Sequence, residues 1–171
     1  RFIAPAEIIV TNPEHYESLL EKAHVMVCRD KRKAEISRQL EAKCKELGVS
    51  LHADPGLLEE VTGLVEWPNV IAGRIDDSVM DLPPEVLILE MRNHQKYFAT
   101  RDAQGGLSPH FLITSNMLVA EERVIAAGNE RVLRGRLADA KFFWDQDRKQ
   151  TLESRLPALE KVVFHAKLGT Q

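Results

Sequence analysis

Two short aromatic-rich runs constrain the fold of this chain most strongly, because together they predict a β-hairpin. The runs cover residues 95–101 and 110–116, and Gly105, Gly106 and Pro109 mark the loop between them. Aromatic and β-branched side chains favour strands, whereas glycine and proline favour the turn that joins them. We therefore predict two paired strands with a long, eight-residue tip.

The remaining apolar patterns predict helices and strands on both sides of this hairpin. Further strands are predicted at 7–11, 24–28 and 67–75. A short helix is predicted to begin at Pro13, and a longer one to run from an N-cap at Asp30 to Gly48. Further helices are predicted from Asp54 to Leu64, from Asp81 to about His94, and at 120–149 and 152–165. A break or kink in the long helix is expected near Gly128.

These elements predict an α+β fold with a mixed sheet, flanking helices and a long helical C-terminal arm. We expect residues 1–118 to form the α+β module. Residues 119–171 are expected to form the arm, which packs on that module and leads to a further domain. Within the arm, Leu133, Leu137 and Trp144 recur at helical spacing and predict its buried side.

The composition is that of a globular chain with no strong excess of either charge. The 171 residues are 44% hydrophobic and 29% charged, with a formal net charge of −3. That balance argues against a strongly basic nucleic-acid binder, although residues 119–171 are net positive. No apolar run approaches the roughly 20 residues needed to cross a bilayer. Cys28 and Cys44 are expected to be reduced thiols.

The sequence shows no recognisable catalytic or metal-binding motif. GxGxxG, GxxxxGK(S/T), GxSxG and HExxH are all missing. Ser115 and His110 would point to opposite faces of one strand, which disfavours a nucleophile–base pair. Asp76, Asp77 and Asp81 offer oxygen ligands for Mg²⁺, but a solvated turn is favoured. We therefore expect neither a catalytic residue nor a metal site.

A cluster of cations in the predicted long helix has two interpretations. Arg131 and Arg134 share one side of the helix, and Lys141 follows Arg134 after seven residues. The arginines could grip phosphates, since the planar guanidinium matches their geometry. They could instead pair internally, for example Glu130 with Arg134 at i, i+4. The residues alone favour internal pairing.

Longer stretches of the sequence carry a family resemblance. They are LVEWP at 64–68, LPPEVL at 82–87, QKYF at 95–98, GNERVLR at 128–134, RLADAKFF at 136–143, DRK at 147–149, LPALE at 156–160 and FHAKLGT at 164–170. In order and spacing the chain resembles the β subunit of bacterial heterotetrameric glycyl-tRNA synthetases. Arg1 in place of Met and the ending at 168–171 predict an internal piece of that subunit, ahead of its HD-like domain.

The resemblance implies a ligase subunit of protein biosynthesis in the cytoplasm, with no membrane partner. The family joins glycine to tRNA(Gly) with ATP and Mg²⁺, and its aminoacylation centre lies in the separate α subunit of an α2β2 assembly. The piece itself is then expected to hold no cofactor and to be non-catalytic. It is also similar to the B3/B4 module of phenylalanyl-tRNA synthetase β subunits, which there carries an editing site.

The resemblance favours tRNA as the partner of the cationic residues. The candidate tRNA-binding residues are Lys96, Tyr97, Arg131, Arg134, Arg136 and Lys141. Tyr97 and Phe98 alternate along a strand, so one of them is expected at the surface, where it could stack on a base.

Two alternatives remain open. Arg131 and Arg134 could instead form ion pairs between modules, while Arg136 and Lys141 contact tRNA. An editing hydrolase acting on mischarged tRNA is the other functional reading. Glycine is the smallest amino acid, so its site can exclude larger ones by size, which disfavours a need for editing.

Overall fold

The computed structural model describes residues 6–160, 162–167 and 169–170. Its helices are α1 Tyr16–Lys22, α2 Arg29–Leu47, α3 Pro55–Leu64, α4 Pro84–Glu90, α5 Glu122–Asp147 and α6 Leu156–Leu159. Its strands are β1 Ser50–Leu51, β2 Asn69–Arg74, β3 Phe98–Arg101, β4 Leu107–Ser115, β5 Val163–His165 and β6 Gly169–Thr170. The predicted α+β class with a long C-terminal helix is confirmed.

The central sheet has four strands in the order β1-β3-β4-β2, and each of these pairings is antiparallel. β3 and β4 form the predicted hairpin. Its tip spans residues 102–106 and is shorter than expected, because Leu107 already pairs with Arg101. Gly105 turns the chain at a φ of 85°, a conformation that glycine adopts without steric cost.

Helices cover both faces of the sheet, and each face has its own hydrophobic cluster. Phe98 and Leu112 face the cluster built from α2 and α3. Tyr97 and Phe111 face the cluster that includes α4 and α5. The expectation that either Tyr97 or Phe98 lies at the surface is therefore wrong. Alternation along a strand separates two sides, and here both sides are buried.

The ends of α2 and α3 show how far local signals set helix boundaries. α2 ends as predicted at Gly48, whose φ is 66°. It begins at Arg29 with Cys28 as N-cap, so the predicted cap at Asp30 is wrong and Asp30 lies in the first turn. Asp54 caps α3 as predicted, because its carboxylate accepts a hydrogen bond of 2.8 Å from the Leu57 amide.

α5 is one continuous helix, so the predicted break near Gly128 is wrong. A glycine costs a helix about 1 kcal/mol relative to alanine. The helix packs across β2 and buries Ala126, Leu133 and Leu137 against the sheet. This burial outweighs the cost of Gly128 and Gly135. The helix and the sheet share one hydrophobic cluster, while the division of the chain at residue 118 stays a prediction.

Three further segments differ from their predicted elements. Residues 7–11 and 24–28 are not strands. In the second of these segments, the Met26 amide donates a hydrogen bond to the Glu66 carbonyl. A strand forms only beside another strand, and neither segment pairs with a strand of the described sheet. The predicted helix at 152–165 is wrong beyond Leu159, since the chain continues into β5.

The cysteines and the helix lengths complete the description. Cys28 and Cys44 are free thiols, as predicted. Among the described helices, none is both long and apolar enough to span a bilayer.

Candidate nucleic-acid interface

α5 carries four of the six candidate residues and presents them on three sides. Two positions separate Arg131 from buried Leu133, which turns Arg131 by about 200° around the axis, away from the sheet. Arg134 and Lys141 lie on one edge of the helix. Arg136 lies on the opposite edge. The continuous helix therefore fixes these cations in place, but not on a single face.

Arg134 is held against the segment that follows β2. Its Nε lies 3.1 Å from Asp76 Oδ2, which joins α5 to the turn at Asp77–Val79. Hydrogen bonds from the hydroxyl and amide of Ser78 lower the pKa of Asp76, and the charge of Arg134 adds to this effect. Asp76 is thus an ionised partner at neutral pH.

An open cleft of about 360 Å³ lies beside this ion pair and holds two more arginines. Arg74 Nη2 lies 2.8 Å from Asp77 Oδ1, and Arg123 Nη1 lies 2.7 Å from Glu130 Oε1. Glu130 also accepts a hydrogen bond of 3.0 Å from the Arg74 amide. Each guanidinium of the cleft therefore has a carboxylate partner, and the cleft is not an open cationic site.

Glu130 stays ionised although it is partly buried. Burial raises the pKa of its carboxyl, but hydrogen bonds from Arg123 and the Arg74 amide outweigh burial and hold the pKa below its usual value. Glu130 does not pair with Arg134 at i, i+4, which was the internal pairing expected from the sequence. The sheet offers it the Arg74 amide instead.

Lys141 is also engaged. Its Nζ lies 2.6 Å from Asp81 Oδ2 and 3.9 Å from Asp145 Oδ2. The hydrogen bond to Asp81 raises the pKa of Lys141. Arg134 and Lys141 therefore connect the same edge of α5 to one segment, residues 76–81.

Arg131 and Arg136 are exposed, and neither has a carboxylate within 4 Å among the residues that the structure describes. The sequence-based expectation assigned Arg131 and Arg134 to ion pairs, and Arg136 and Lys141 to tRNA. The structure instead has Arg134 and Lys141 in ion pairs and leaves Arg131 and Arg136 exposed. Contact of any of them with tRNA stays a prediction.

Lys96 and Tyr97 are both engaged by other residues of the module. Lys96 adopts a φ of 58° where the π-helical turn Met91–Gln95 ends, and its Nζ lies 2.7 Å from Glu60 Oε1. Tyr97 is only 4% exposed, and its ring stacks on Phe111 with centroids 4.9 Å apart. Stacking on a base would require the ring of Tyr97 to leave this cluster.

The Tyr97 hydroxyl connects the sheet to α5. It donates a hydrogen bond of 2.5 Å to Asn129 Oδ1, and the Asn129 amide group donates to the Ile125 carbonyl at 2.7 Å. Burial raises the pKa of Tyr97 to about 12. The Tyr97 hydroxyl therefore has a structural role, since it holds α5 on the sheet from inside the hydrophobic cluster.

Sequence reasoning missed Arg74, Arg123 and Asn129. Arg74 lies near the end of the strand predicted at 67–75, just before the Asp76–Asp77 turn, for which the sequence favours solvation. Arg123 precedes Glu130 by seven residues, a helical repeat that signals one side of a long helix. Asn129 gave no signal in the sequence, because its partner Tyr97 lies 32 residues away.

No described side chains form an accessible nucleophile–base pair. Ser115 Oγ donates to the Met117 carbonyl at 3.3 Å and does not meet His110. Ser108 Oγ does lie 3.2 Å from His110 Nδ1, but Ser108 is 2% exposed. Burial, with the nearby charge of Arg74, lowers the pKa of His110. This Ser108–His110 pair is structural, because its hydroxyl is not exposed to act as the nucleophile of an editing reaction.

Comparison with known proteins identifies the family. The family model described as glycyl-tRNA synthetase beta subunit matches residues 1–171. The glycine–tRNA ligase beta subunit of Rhodospirillum centenum is 50% identical over 171 residues, which cover 99% of this chain and 24% of that protein. The beta subunit of Thiobacillus denitrificans is 49% identical over 173 residues, covering 100% of this chain and 25% of that protein.

A third relative, the glycine–tRNA ligase beta subunit of Janthinobacterium sp., is 55% identical over 142 residues, covering 82% of this chain and 20% of its own length. The chain thus spans about a quarter of the length of the curated relatives it matches. Because the family model matches it from end to end, the chain belongs to the glycyl-tRNA synthetase beta subunit family.

Proposed function

We propose that this chain is a tRNA-positioning and structural module of the β subunit of a glycyl-tRNA synthetase. It supports ATP-dependent ligation of glycine to tRNA(Gly) by the α subunit, in an α2β2 assembly in the cytoplasm. The observation that supports the proposal is the pair of exposed arginines, Arg131 and Arg136, on the long helix α5 of a chain that belongs to this family.

The physical argument rests on which cations are available to a phosphate. Arginine offers five N–H donors in a planar fork that fits phosphate oxygens. Arg131 and Arg136 can offer this fork without breaking an ion pair within the described residues. They lie five residues apart, which is about 7.5 Å along the helix axis. They also differ by about 140° around the axis, so a backbone that contacts both must follow the outer side of α5.

Arg134 and Lys141 act differently in this proposal. Both would have to give up a carboxylate, Asp76 or Asp81, before pairing fully with a phosphate. They instead hold α5 on the module, so that the exposed arginines stand in a fixed position. ATP and Mg²⁺ act at the α subunit, and this module holds no cofactor.

Steady-state aminoacylation by the complete enzyme tests the proposal. Replacing Arg136 by Glu in the β subunit should raise KM for tRNA(Gly) several-fold and leave KM for glycine and for ATP unchanged. Arg38→Glu is the matched control, because Arg38 is an exposed arginine on α2 that pairs with Glu35. An unchanged KM for tRNA in both Arg136→Glu and Arg131→Glu would overturn the proposal.

A further inference from the structure

A second cleft, distant in sequence from the α5 cations, lies between α4 and the tip of the β3–β4 hairpin. Its volume is about 480 Å³, within the range of about 300–1,000 Å³ that is usual for small-molecule sites. One wall is apolar and includes Ile88, Leu89 and Leu107. Leu89 is 56% exposed although it lines a concavity. Such a wall favours the flat, apolar face of a ligand.

Arg101 also lines the cleft, beside its cross-strand partner Leu107, and is held by acceptors other than carboxylates. Its Nε and Nη2 lie 3.2 Å and 3.0 Å from His52 Nδ1, and its Nη1 donates to the Gly105 carbonyl at 2.9 Å. Three of the five N–H donors of a guanidinium are used in this way, which leaves two unused. No carboxylate lies within 4 Å of Arg101 in the described ranges.

Two of the three acidic side chains near Arg101 are engaged with other groups. Asp102 follows Arg101 directly, but its carboxylate accepts the amides of Gln104 and Gly106 at 2.9 Å and 2.8 Å. Asp54 pairs with Arg92, another lining residue, at 2.6 Å. Glu85 also lines the cleft, at the start of α4. None of these carboxylates lies within 4 Å of the Arg101 guanidinium, which therefore has no direct ion pair within the described residues.

The backbone holds this arginine in place. The register of β3 against β4 shifts between Ala99 and Arg101, and such bulges re-aim side chains next to sites of function. The His52 amide donates to the Ala99 carbonyl at 3.0 Å, which holds the backbone at His52, the residue whose Nδ1 contacts the guanidinium. A preformed donor pair beside an apolar wall suits a ligand with one anionic group and one flat ring system.

We propose that this cleft binds a nucleoside 5′-phosphate, with the phosphate at Arg101 and the base against Leu89 and Leu107. One guanidinium can donate to two phosphate oxygens at once, and apolar side chains can pack against the face of a base. A free nucleotide and an unpaired nucleotide of an RNA strand share this chemistry. The site does not depend on the role proposed for α5.

NMR titration of the isotope-labelled protein with AMP tests the proposal. We expect saturable shifts of the Leu89, Arg101 and Gly106 amides, with a dissociation constant on the order of 1 mM. Adenosine, which lacks the phosphate, should bind at least about tenfold more weakly. Equal affinity for AMP and adenosine, or no saturable shift at these amides, would overturn the assignment.

Two variants with matched controls separate binding from folding. Arg101→Gln should weaken AMP binding about tenfold, whereas Arg38→Gln should not. Leu89→Asp places a negative charge on an exposed wall residue and should weaken binding too, whereas Leu64→Asp, exposed on α3, should not. Wild-type affinity in Leu89→Asp would refute the site even if Arg101→Gln fails to fold.

A single-stranded RNA trinucleotide distinguishes the two sources of the ligand. Tighter binding of the trinucleotide than of AMP, read at the same cleft amides, supports an RNA strand as the natural ligand. Equal or weaker binding supports a free nucleotide.

Discussion

The cations of α5 differ in what surrounds them, and this difference sets their roles. Arg134 and Lys141 are paired with Asp76 and Asp81, while Arg131 and Arg136 are exposed and free of such pairs within the described chain. The long helix that carries these cations is predicted from the sequence and confirmed. The sequence could not show which arginine meets a carboxylate, because Asp76 and Asp81 come from a segment more than 50 residues earlier.

Tyr97 is a residue whose role the structure changes, from a candidate stacking surface to an internal support. Tyr97→Phe should lower the free energy of unfolding by about 1–2 kcal/mol, because Asn129 Oδ1 loses its donor in a partly buried position. Urea unfolding would measure this. Tyr16→Phe, at a 47% exposed ring, is the control and should change nothing. A loss below that of Tyr16→Phe would contradict the assigned hydrogen bond.

The same hydroxyl predicts a pH dependence of stability. The pKa of Tyr97 is raised from 10.0 to about 12 in the folded state, so the unfolded state loses this proton first as pH rises. The stabilisation is complete below about pH 10 and is lost progressively towards about pH 12, by up to about 3 kcal/mol. Unfolding curves at about pH 9 and about pH 11 should show a smaller fall in Tyr97→Phe than in wild type. Equal falls would count against this account.

At the scale of elements, glycines in β2 and α5 should respond oppositely to alanine. A Cβ at Gly73 would lie 2.5 Å from the Phe111 ring, which pairs with it across β2 and β4. Gly73→Ala should destabilise the protein by about 1–3 kcal/mol or more through overpacking. Gly135 has open space around its Cβ position, so Gly135→Ala should stabilise α5 by about 0.5–1 kcal/mol.

Thermal unfolding of the two variants beside wild type would measure both changes. A stabilising Gly73→Ala would mean that β2 and β4 do not approach as closely as described. A destabilising Gly135→Ala would mean that the outer side of α5 is covered rather than open.

The elements also show where prediction from sequence works and where it stops. α2 and α3 follow from periodic apolar residues with Asp54 and Gly48 at helix ends, because helical hydrogen bonds are local. The strands predicted at 7–11 and 24–28 fail, since a strand depends on a distant partner that composition does not reveal. The surroundings of Arg101 could not be predicted for the same reason, because its partner His52 lies 49 residues away in the sequence.

At the scale of the whole molecule, helices enclose the sheet on both faces, and α5 connects one face to the exposed arginines. The inner side of α5 is fixed by Leu133 and Leu137 and by the Tyr97–Asn129 hydrogen bond. Its outer side presents Arg131 to solvent. A rigid helix that holds cations at fixed positions can orient a polyanion without taking part in the chemistry, which is the role proposed for this module.

The most direct test of that role is the salt dependence of tRNA(Gly) binding by the complete enzyme. Affinity measured across a salt series should give a straight line of log affinity against log salt concentration, for wild type, Arg136→Gln and the control Arg38→Gln. Loss of one phosphate contact in Arg136→Gln should flatten the slope by roughly 0.7 at a single strand or 0.9 at a duplex, while Arg38→Gln keeps the wild-type slope. A wild-type slope in Arg136→Gln and also in Arg131→Gln would contradict the claim that α5 contacts tRNA.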